Sequence, residues 1–305
     1  SVVKPPLESS VHWIDRTGTA QRSNYVFHSA PVELGSSFVD SVLSRLSSAV
    51  FTSATLTVQG SFDFFKRSLG MDTLPTARFI ERSIESPFDF KNQVLLCVAS
   101  NMPSPDSSEF YECLSEALCR IIAASSGRAF VLFTSHSAMR RAAAECRPFL
   151  SDQGYRLLVQ GEAGRHHLIN MFRDDIPSVL FGTDSFWEGV DVRGSSLSSV
   201  IMVKLPFRVP TEPLLQAKLE AIQARGGDPF RELSLPEAVI RFRQGFGRLI
   251  RSRDDMGGVT VLDSRLVKRR YGRAFLGSLP RCTTLVGSID EIESGLRQWL
   301  AAQQT

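Results

Sequence analysis

The stretch AFVLFTSHSAMR, residues 129–140, joins an apolar run to a helical pattern and decides the fold class. The run 129–135 is apolar until Thr134 and Ser135, which is typical of a strand buried on both faces of a parallel sheet. The residues that follow, 136–149, predict a helix. Because this order of short apolar run and helix recurs along the chain, we predict an α/β fold. It should be a doubly wound, mainly parallel sheet with helices on both faces.

The other predicted elements follow the same alternation. Strands are predicted at 24–30, 49–56, 92–99, 129–135, 155–161, 178–183, 198–207, 258–264 and 283–288. Helices are predicted at 36–47, 60–69, 107–125, 136–149, 164–173, 211–224, 235–252, 265–276 and 289–303. Glycine and proline interrupt the pattern within 57–106, which predicts a weak domain boundary there.

The bulk composition is that of a soluble globular protein. The chain has 305 residues, of which 43% are hydrophobic and 22% are charged, enough for one large or two modest domains. The net charge of +3 permits a nucleic-acid partner without requiring one. Because the first residue is Ser1, we expect the sequence to be a piece of a longer chain.

The cysteines and the apolar runs bear on compartment. The five cysteines are scattered and no pair has C-x-x-C spacing, which favours a reducing compartment over a disulfide framework, a zinc site or an iron–sulfur cluster. No apolar run approaches the roughly 20 residues that span a bilayer, and no signal peptide is visible. We therefore expect a cytoplasmic protein with no membrane partner.

A second stretch, QGFGRLIRS at 244–252, places two kinds of side chain on opposite faces of the helix predicted at 235–252. At about 100° per residue, one face is apolar and the other is polar. The apolar face carries Phe242, Phe246 and Leu249. The polar face carries Gln244, Arg248 and Arg251.

Two glycines, Gly245 and Gly247, flank the polar face, and each costs an interior helix about 1 kcal/mol relative to alanine. We interpret them as positions where another surface or a ligand comes close to the backbone. Two interpretations of the arginines stand: a solvated basic face, or guanidinium groups that bind phosphate oxygens.

Polar residues follow five of the predicted strands. They are Thr134-Ser135-His136, Gln160-Gly161, Thr183-Asp184-Ser185, Lys204 and Asp263-Ser264-Arg265. Because the carboxyl ends of parallel strands meet at one edge of a sheet, where open α/β sheets bind ligands, we predict a shared site at that edge, beside the arginine helix.

Four segments, taken in order, resemble a known family. FTSATL (51–56), VLFTSHSAMR (131–140), FGTDSFWEGVDVRG (181–194) and QGFGRLIRS (244–252) resemble motif III, the motif IV region, motif V and motif VI of superfamily 2 DNA helicases of the DinG/XPD group, nearest the bacterial DinG-like helicases. The resemblance implies a RecA-like fold. It also implies that 1–57 is a remnant of the first motor domain, including motif III, and that 58–305 is the second RecA-like domain.

The resemblance also implies residue roles at the nucleotide. Arg248 and Arg251 are the candidate arginine fingers, which reach a triphosphate held by the other domain, and Gln244 orients within the same site. In motif V, the residues implied to face the nucleotide are Glu188, Gly189 and Asp191.

Further roles implied by the resemblance concern nucleic acid and coupling. The residues implied to contact a single strand are Thr134, Ser135, His136 and Thr183; His136 is equally well read as an unliganded helix start. Ser53 and Thr55 either link hydrolysis to strand movement or cap a turn. Trp187 is either a core residue or a stacking platform for a base.

The phosphate-binding sequence G-x-x-x-x-G-K-[ST] is absent, and no Gly-Lys pair occurs in the chain. The acidic segment LVGSIDEIESG (285–295) fits a helix capping box of Ser288 and Glu291 better than a metal site. ATP and Mg²⁺ are therefore expected to be bound mainly by the absent first domain. An iron–sulfur cluster is possible in that absent half, and none is expected in this chain.

The resemblance implies that the full protein is an ATP-dependent DNA helicase that moves 5′→3′ and acts in DNA repair. Without a phosphate-binding loop, this chain is expected to be inactive alone. Its partners would be single-stranded or forked DNA and the first motor domain of the same protein. Two alternatives stay open: part of a DinG-like exonuclease that lacks unwinding activity, or a stand-alone RecA-like module that binds nucleic acid.

Overall fold

The computed structural model describes residues 10–19, 22–175, 177–187 and 197–302. They divide into two compact units. The small unit is the described part of Ser1–Ser83 together with Phe207–Glu237, and the sheet unit is that of Ile84–Pro206 together with Ala238–Thr305. The division of the chain into 1–57 and 58–305 stays a prediction.

The strands and helices alternate along most of the described chain. The strands are β1 (Ser10–Thr19), β2 (Arg22–Pro31), β3 (Val94–Ala99), β4 (Ala129–Leu132), β5 (Arg156–Val159), β6 (Ser178–Gly182), β7 (Ser199–Met202), β8 (Gly257–Val261) and β9 (Thr283–Gly287). The helices are α1 (Gly35–Ser41), α2 (Asp63–Ser68), α3 (Phe90–Gln93), α4 (Ser108–Ala124), α5 (His136–Asp152), α6 (Arg165–Asp174), α7 (Asp184–Trp187), α8 (Pro213–Ala224), α9 (Leu235–Phe246), α10 (Arg265–Lys268), α11 (Gly272–Leu276) and α12 (Ile289–Ala301).

The sheet unit is built on a seven-stranded sheet with the order β5-β6-β4-β7-β8-β3-β9. Each neighbouring pair is parallel. Strands β3, β4, β6, β7 and β8 are buried at every position, as expected of a sheet covered on both faces. The predicted doubly wound α/β fold is confirmed.

Alternate side chains of the strands fill two cores. Val131 of β4 lies in a cluster with buried residues of α4, α5 and α12. The preceding residue, Phe130, points to the other face, where its ring packs against Phe172 of α6 and Phe186 of α7. Burial of a phenylalanine contributes roughly 1.5–3 kcal/mol, so the layers on both faces hold the sheet in place.

The first strand of the sheet, β3, pairs with two strands from the end of the chain. Its register with β8 runs from Val94 opposite Gly257 to Val98 opposite Val261. On its other side β3 pairs with β9. Because parallel strands start at the same edge, the residues before β3 lie beside the loop that precedes β8.

The small unit combines an antiparallel hairpin with short helices. Strands β1 and β2 pair along their whole length. A separate cluster of three buried residues, Leu215, Ile222 and Leu233, forms a small core. Gly70, at φ +67°, lies against the backbone of Gly35, and a Cβ built on Gly70 would be 2.3 Å from the carbonyl carbon of Gly35.

One predicted strand is wrong and one observed strand was not predicted. Residues 49–56 contain no strand, and Val50 is 90% exposed. This run has β-forming side chains, but among the described residues no second strand pairs with it, and propensity without a partner does not form a strand. Strand β1 escaped prediction because its sequence, SVHWIDRTGT, is mostly polar.

Several predicted helices are shorter than expected, among them the helix predicted at 36–47, which ends at Ser41. The helix predicted at 235–252 ends at Phe246, and the one predicted at 265–276 is divided into α10 and α11. After Phe246 the bonding pattern tightens, because the N–H of Arg248 donates to the carbonyl oxygen of Gly245 at 3.1 Å. Gly247 sits at this change, where a residue with low helix propensity favours an end to the helix.

The predicted capping box at the start of α12 is confirmed. The Ser288 hydroxyl accepts from the N–H of Glu291 at 3.3 Å, and the Glu291 carboxylate accepts from the N–H of Ser288 at 2.7 Å. The backbone hydrogen bond from Ser288 lowers the pKa of Glu291.

Within the described ranges, no group of three or more His, Cys, Asp or Glu side chains is arranged to hold a metal. No helix in the same ranges is long and apolar enough to cross a membrane.

Candidate functional site

The arginine-rich segment after α9 is a loop, which we call the arginine loop (residues 247–256). The burial predicted for Phe242, Phe246 and Leu249 is confirmed, since each is at most 2% exposed, but Leu249 lies beyond the end of α9. The predicted common helical face of Arg248 and Arg251 is wrong, because the helix ends before either residue. The loop leads directly into β8.

Arg248 is held against the residue that ends α7. Its Nε donates to the carbonyl oxygen of Trp187 at 3.0 Å, and its Nη2 donates to the same oxygen. A guanidinium that donates twice to one backbone carbonyl has a fixed direction. Arg248 therefore links the arginine loop to the segment that follows β6.

The backbone at Arg251 is fixed by a buried carboxylate. The N–H groups of Arg251 and Ser252 both donate to Asp255 Oδ2, each at 2.7 Å. Asp255 is 9% exposed. Charge-assisted bonds of this length are about twice as strong as neutral ones, so the turn around Arg251 is a rigid one.

Gln244 remains in the last turns of α9. Its Oε1 is buried and accepts no hydrogen bond from the residues that the structure describes. Buried acceptors normally have a donor, so this oxygen retains the capacity to accept a hydrogen bond.

Trp187 explains one of the two glycines. Its side chain is 2% exposed, and its Nε1 donates to the carbonyl oxygen of Phe133 at 3.0 Å. The core interpretation of Trp187 is thus confirmed, and the stacking platform is wrong because no face of the ring is exposed. A Cβ built on Gly245 would lie 2.7 Å from Cζ3 of this ring and 2.8 Å from Cε of Met202.

Gly247 has a different environment. It is exposed, and a Cβ built there would approach only backbone oxygens of its own helix, at 3.4 Å and beyond. The internal packing of the sheet unit therefore requires a glycine at 245 and does not require one at 247.

Polar residues do meet at the carboxyl edge, where β4, β5 and β6 end. Gln160 Oε1 accepts from the N–H of Thr183 at 2.6 Å and from its hydroxyl at 3.0 Å. The same hydroxyl lies 3.2 Å from His136 Nε2. Thr183 is 3% exposed whereas His136 is exposed, so Thr183 is the internal member of this cluster.

The residues between β4 and α5 form a helix start. Ser135 is the N-cap, and its hydroxyl accepts from the N–H of Ala138 at 3.4 Å and lies 2.7 Å from the Ser137 hydroxyl. Thr134 is half-buried beside it. The sheet order makes β4 and β6 neighbours, so Thr134, Ser135, His136 and Thr183 share one part of the edge, as predicted.

The predicted single shared site is divided in two. The loop that carries Arg251 is packed beside Gln93, which precedes β3, so it lies at the edge where strands begin. The polar strand ends lie at the opposite edge. Trp187 connects the two edges. Its carbonyl oxygen accepts from Arg248, and its indole N–H donates to the carbonyl oxygen of Phe133, the residue before Thr134.

The polar residues that follow β7 and β8, which the sequence had placed in the shared site, bind each other and neighbouring elements of the sheet unit. Asp263 is fully buried and accepts from the N–H of Leu205 at 2.8 Å. Arg265 donates to both carboxylate oxygens of Asp263, through Nε at 2.9 Å and Nη2 at 2.7 Å. Burial opposes the charge on Arg265, but the bonds and charge of Asp263 outweigh it and raise the pKa of Arg265. The sequence signal for this ion pair was the spacing of two residues between Asp263 and Arg265 directly after a predicted strand.

Lys204, after β7, is also committed to internal contacts. Its Nζ donates to the carbonyl oxygen of Pro105 at 2.5 Å and to the Tyr111 hydroxyl at 2.8 Å. It also lies 4.6 Å from the centre of the Tyr111 ring. These contacts join β7 to the start of α4.

The remaining predicted residues are divided between the small unit and the segments outside the structure's description. Thr55 donates its N–H to the Ser53 hydroxyl at 3.2 Å, and the two hydroxyls lie 3.3 Å apart, which is a serine-capped turn. A coupling role for these residues stays a prediction. Glu188, Gly189 and Asp191 lie outside the described residues.

Comparison with known proteins identifies the family. The model of the family described as "Helicase C-terminal domain" matches residues 118–282, more than half of the chain. The "ATP-dependent DNA helicase YoaA" of Haemophilus influenzae is 41% identical over 88% of this chain and 40% of its own length. The "3'-5' exonuclease DinG" of Bacillus subtilis is 37% identical over 92% of this chain and 30% of its own length.

A solved structure described as an XPD helicase is 20% identical, with a TM-score of 0.48, over 63% of this chain and 36% of that one. The parallel sheet and the family match together define an α/β domain of the helicase class. The chain belongs to the helicase C-terminal domain family, with DinG and YoaA helicases among its relatives. It spans 40% or less of the length of the two curated relatives described above.

The two glycines should respond differently to alanine. Gly245→Ala should destabilise the chain by about 1–3 kcal/mol, because the new methyl group meets the buried Trp187 ring. Gly247→Ala should change the free energy of unfolding by no more than about 0.5 kcal/mol. Urea denaturation of both variants measures this. Equal effects at the two positions would contradict the packing role of Gly245.

Proposed function

We propose that this chain is the second motor domain of an ATP-dependent DNA helicase, in which residues 1–57 belong to the first motor domain and 58–305 to the second. The observation that carries the proposal is the arginine loop of a helicase-family domain, with the Arg251 backbone held by Asp255. Relatives of the chain are named ATP-dependent DNA helicases. Movement 5′→3′ and a role in DNA repair belong to the same proposal, on the family resemblance.

The described residues fit a nucleotide that is held by another domain. When bound, ATP supplies the phosphoryl group that is transferred to water and the charge that must be neutralised. Arg251 supplies a guanidinium from a rigid turn, and an arginine provided across an interface accelerates phosphoryl transfer by about 10³–10⁵-fold. The Gln244 Oε1 accepts a hydrogen bond from a water beside the nucleotide.

The two candidate fingers are not equivalent. Arg248 donates to the Trp187 carbonyl oxygen. Its guanidinium therefore either contacts the phosphates while this hydrogen bond is kept or contacts them after the bond is broken. Arg251 differs in that Asp255 holds its backbone, and both arginines are proposed as fingers. Next to Trp187, the motif V residues Glu188, Gly189 and Asp191 are proposed to face the same nucleotide.

The rest of the ATP site belongs to the first motor domain. The chain contains no Gly-Lys pair, so it lacks the loop that cradles phosphates. The phosphates and Mg²⁺ are bound there, together with any iron–sulfur cluster of the longer protein. In this proposal the chain alone does not hydrolyse ATP, and Ser53 and Thr55 transmit hydrolysis to strand movement.

The finger assignment is tested in the full-length protein. Arg251→Ala should lower kcat for DNA-stimulated ATP hydrolysis by about 10²–10⁵-fold and change the KM for ATP far less, because the charge acts mainly in the transition state. Arg251→Lys should rescue poorly, since an ammonium cannot form the two-pronged contact. The control Arg281→Ala removes an exposed arginine in the segment that precedes β9. A normal kcat in Arg251→Ala would remove Arg251 from the site.

We propose that the carboxyl edge at β4 and β6 is one wall of a groove for single-stranded DNA. Thr134, Ser135 and His136 lie at the N-terminus of α5, a helix of 17 residues whose free N–H groups favour phosphate. Thr183 is buried, so it orients His136 through their 3.2 Å contact while its neighbours meet the strand. Contacts of this kind bind the backbone and tolerate sequence.

Binding to DNA is tested with the chain itself and a labelled oligonucleotide. The double variant Thr134→Ala, His136→Ala should weaken single-strand binding about 3–30-fold, and binding should fall steeply with salt. Thr284→Ala, an exposed threonine in the edge strand β9, is the matched control. Fluorescence anisotropy measures the affinities. An unaffected double variant, with binding abolished by Arg248→Ala instead, would move the DNA to the arginine loop.

A second candidate function has one specific observation behind it. The Bacillus subtilis relative is named a 3'-5' exonuclease. In that case the same domain would serve a DNA-degrading protein that lacks unwinding. Gel analysis of an end-labelled fork with the full-length protein separates the two functions, because a helicase releases an intact strand and an exonuclease shortens it. A stand-alone binding module would do neither.

A further inference from the structure

Gln93, the last residue of α3, reaches the backbone of the arginine loop. Its side chain is 4% exposed, and its Nε2 lies 2.9 Å from the carbonyl oxygens of Arg253 and Asp255 and 3.4 Å from that of Ser252. Carbonyl oxygens accept only from the NH₂ end of an amide, which fixes the orientation of Gln93. The two N–H groups of this one side chain thus bind the carbonyl oxygens of Arg253 and Asp255, and the Ser252 carbonyl oxygen lies farther away, at 3.4 Å.

Asp255 binds the same turn from the inside. Its Oδ2 accepts the N–H groups of Arg251 and Ser252, and its own carbonyl oxygen accepts from Gln93. The Arg251 backbone is therefore connected to Gln93 through one residue. Since buried hydrogen bonds are costly to leave unmade, the turn has one favoured conformation.

The short helix α3 contacts the arginine segment at two points. At its first residue, the Phe90 ring lies 6.0 Å from the ring of Phe246, which ends α9. At its last residue, Gln93 binds the end of the arginine loop. The pairing of Val94 with Gly257 brings the two segments together. The contacts of α3 therefore lie on both sides of residues 247–251, with Phe246 before them and Ser252 to Asp255 after them.

We propose that Gln93 and Asp255 are positioning residues for the arginine finger: the Gln93 amide and the Asp255 carboxylate hold the turn 251–255 so that the Arg251 guanidinium meets the phosphate across the domain interface. This inference rests on the proposed function of Arg251. Neither residue touches the nucleotide. A displacement of about 1 Å at a reacting group is sufficient to lower a rate about 10²-fold, which makes a buried amide far from the chemistry a determinant of kcat.

The test uses Gln93→Met, which keeps the length of the side chain and removes both N–H donors. In the full-length protein it should lower kcat for ATP hydrolysis about 10–100-fold, with the KM for ATP within about threefold of the wild type. The shorter amide in Gln93→Asn is a second variant, which should also lower kcat. Asn92→Ala is the matched control, because the Asn92 amide binds Asp89 and not the arginine loop. It should leave kcat unchanged.

A double variant separates positioning from general damage. If Gln93 acts through Arg251, Gln93→Met should lower kcat no further in an Arg251→Ala background. In the chain itself, hydrogen exchange of the peptide 247–256 should rise about tenfold in Gln93→Met and stay unchanged in Asn92→Ala.

Each outcome decides the inference. A normal kcat in Gln93→Met and Gln93→Asn, with a lowered kcat in Arg251→Ala, would overturn the positioning role and leave the finger intact. Additive effects in the double variant would overturn it as well. A normal kcat in Arg251→Ala would remove the proposed finger and this inference with it.

Discussion

The parallel pairing of β3 with β8 is the constraint on which the candidate site depends. The two strands are far apart in sequence, yet their register places Val94 opposite Gly257. A parallel pair begins at one edge, so Gln93 and the turn that contains Asp255 must be neighbours. Loss of this pairing would leave the arginine loop without its buried amide. The position of Arg251 is thus a consequence of sheet topology, not of the helix that precedes it.

The same sheet separates two surfaces and connects them through one residue. The arginine loop lies where strands begin, and the polar cluster of Gln160, Thr183 and His136 lies where strands end. Trp187 is bonded to both sides, through its carbonyl to Arg248 and through its indole to Phe133. Because the ring is buried and Gly245 leaves space for only hydrogen at its edge, a shift of the arginine loop cannot leave the strand ends unaffected. The proposed coupling of hydrolysis to strand movement requires such a link.

The sequence was sufficient for the elements of the sheet unit and insufficient for their order. Apolar runs such as 129–135 identify buried strands, and Ser288 with Glu291 identifies a helix start, because these signals are local. The pairing of β3 between β8 and β9 is a long-range event that leaves no local pattern. The run 49–56 has strand-forming residues and no strand, since its conformation depends on pairing and not on its own composition.

The candidate site was predicted unevenly for the same reason. The resemblance of the motifs to a known family identified Arg248, Arg251, Thr134 and His136 as candidate site residues. The end of α9 at Phe246 was missed because a helical wheel assumes that the helix continues past Gly247. Gln93 was missed entirely, since a glutamine before a strand has no distinctive pattern until the strand has a neighbour.

The most direct measurement is a structure of the full-length protein with single-stranded DNA and a phosphoryl-transfer transition-state analogue. We expect the Arg251 guanidinium to lie about 3 Å from the analogue of the transferred phosphate. We also expect Gln93 to bind the turn still and DNA phosphates to lie against Thr134 and His136. A structure in which Arg251 contacts the DNA, or in which the analogue is bound without any arginine of this loop, would contradict the assignment of Arg251 as a finger.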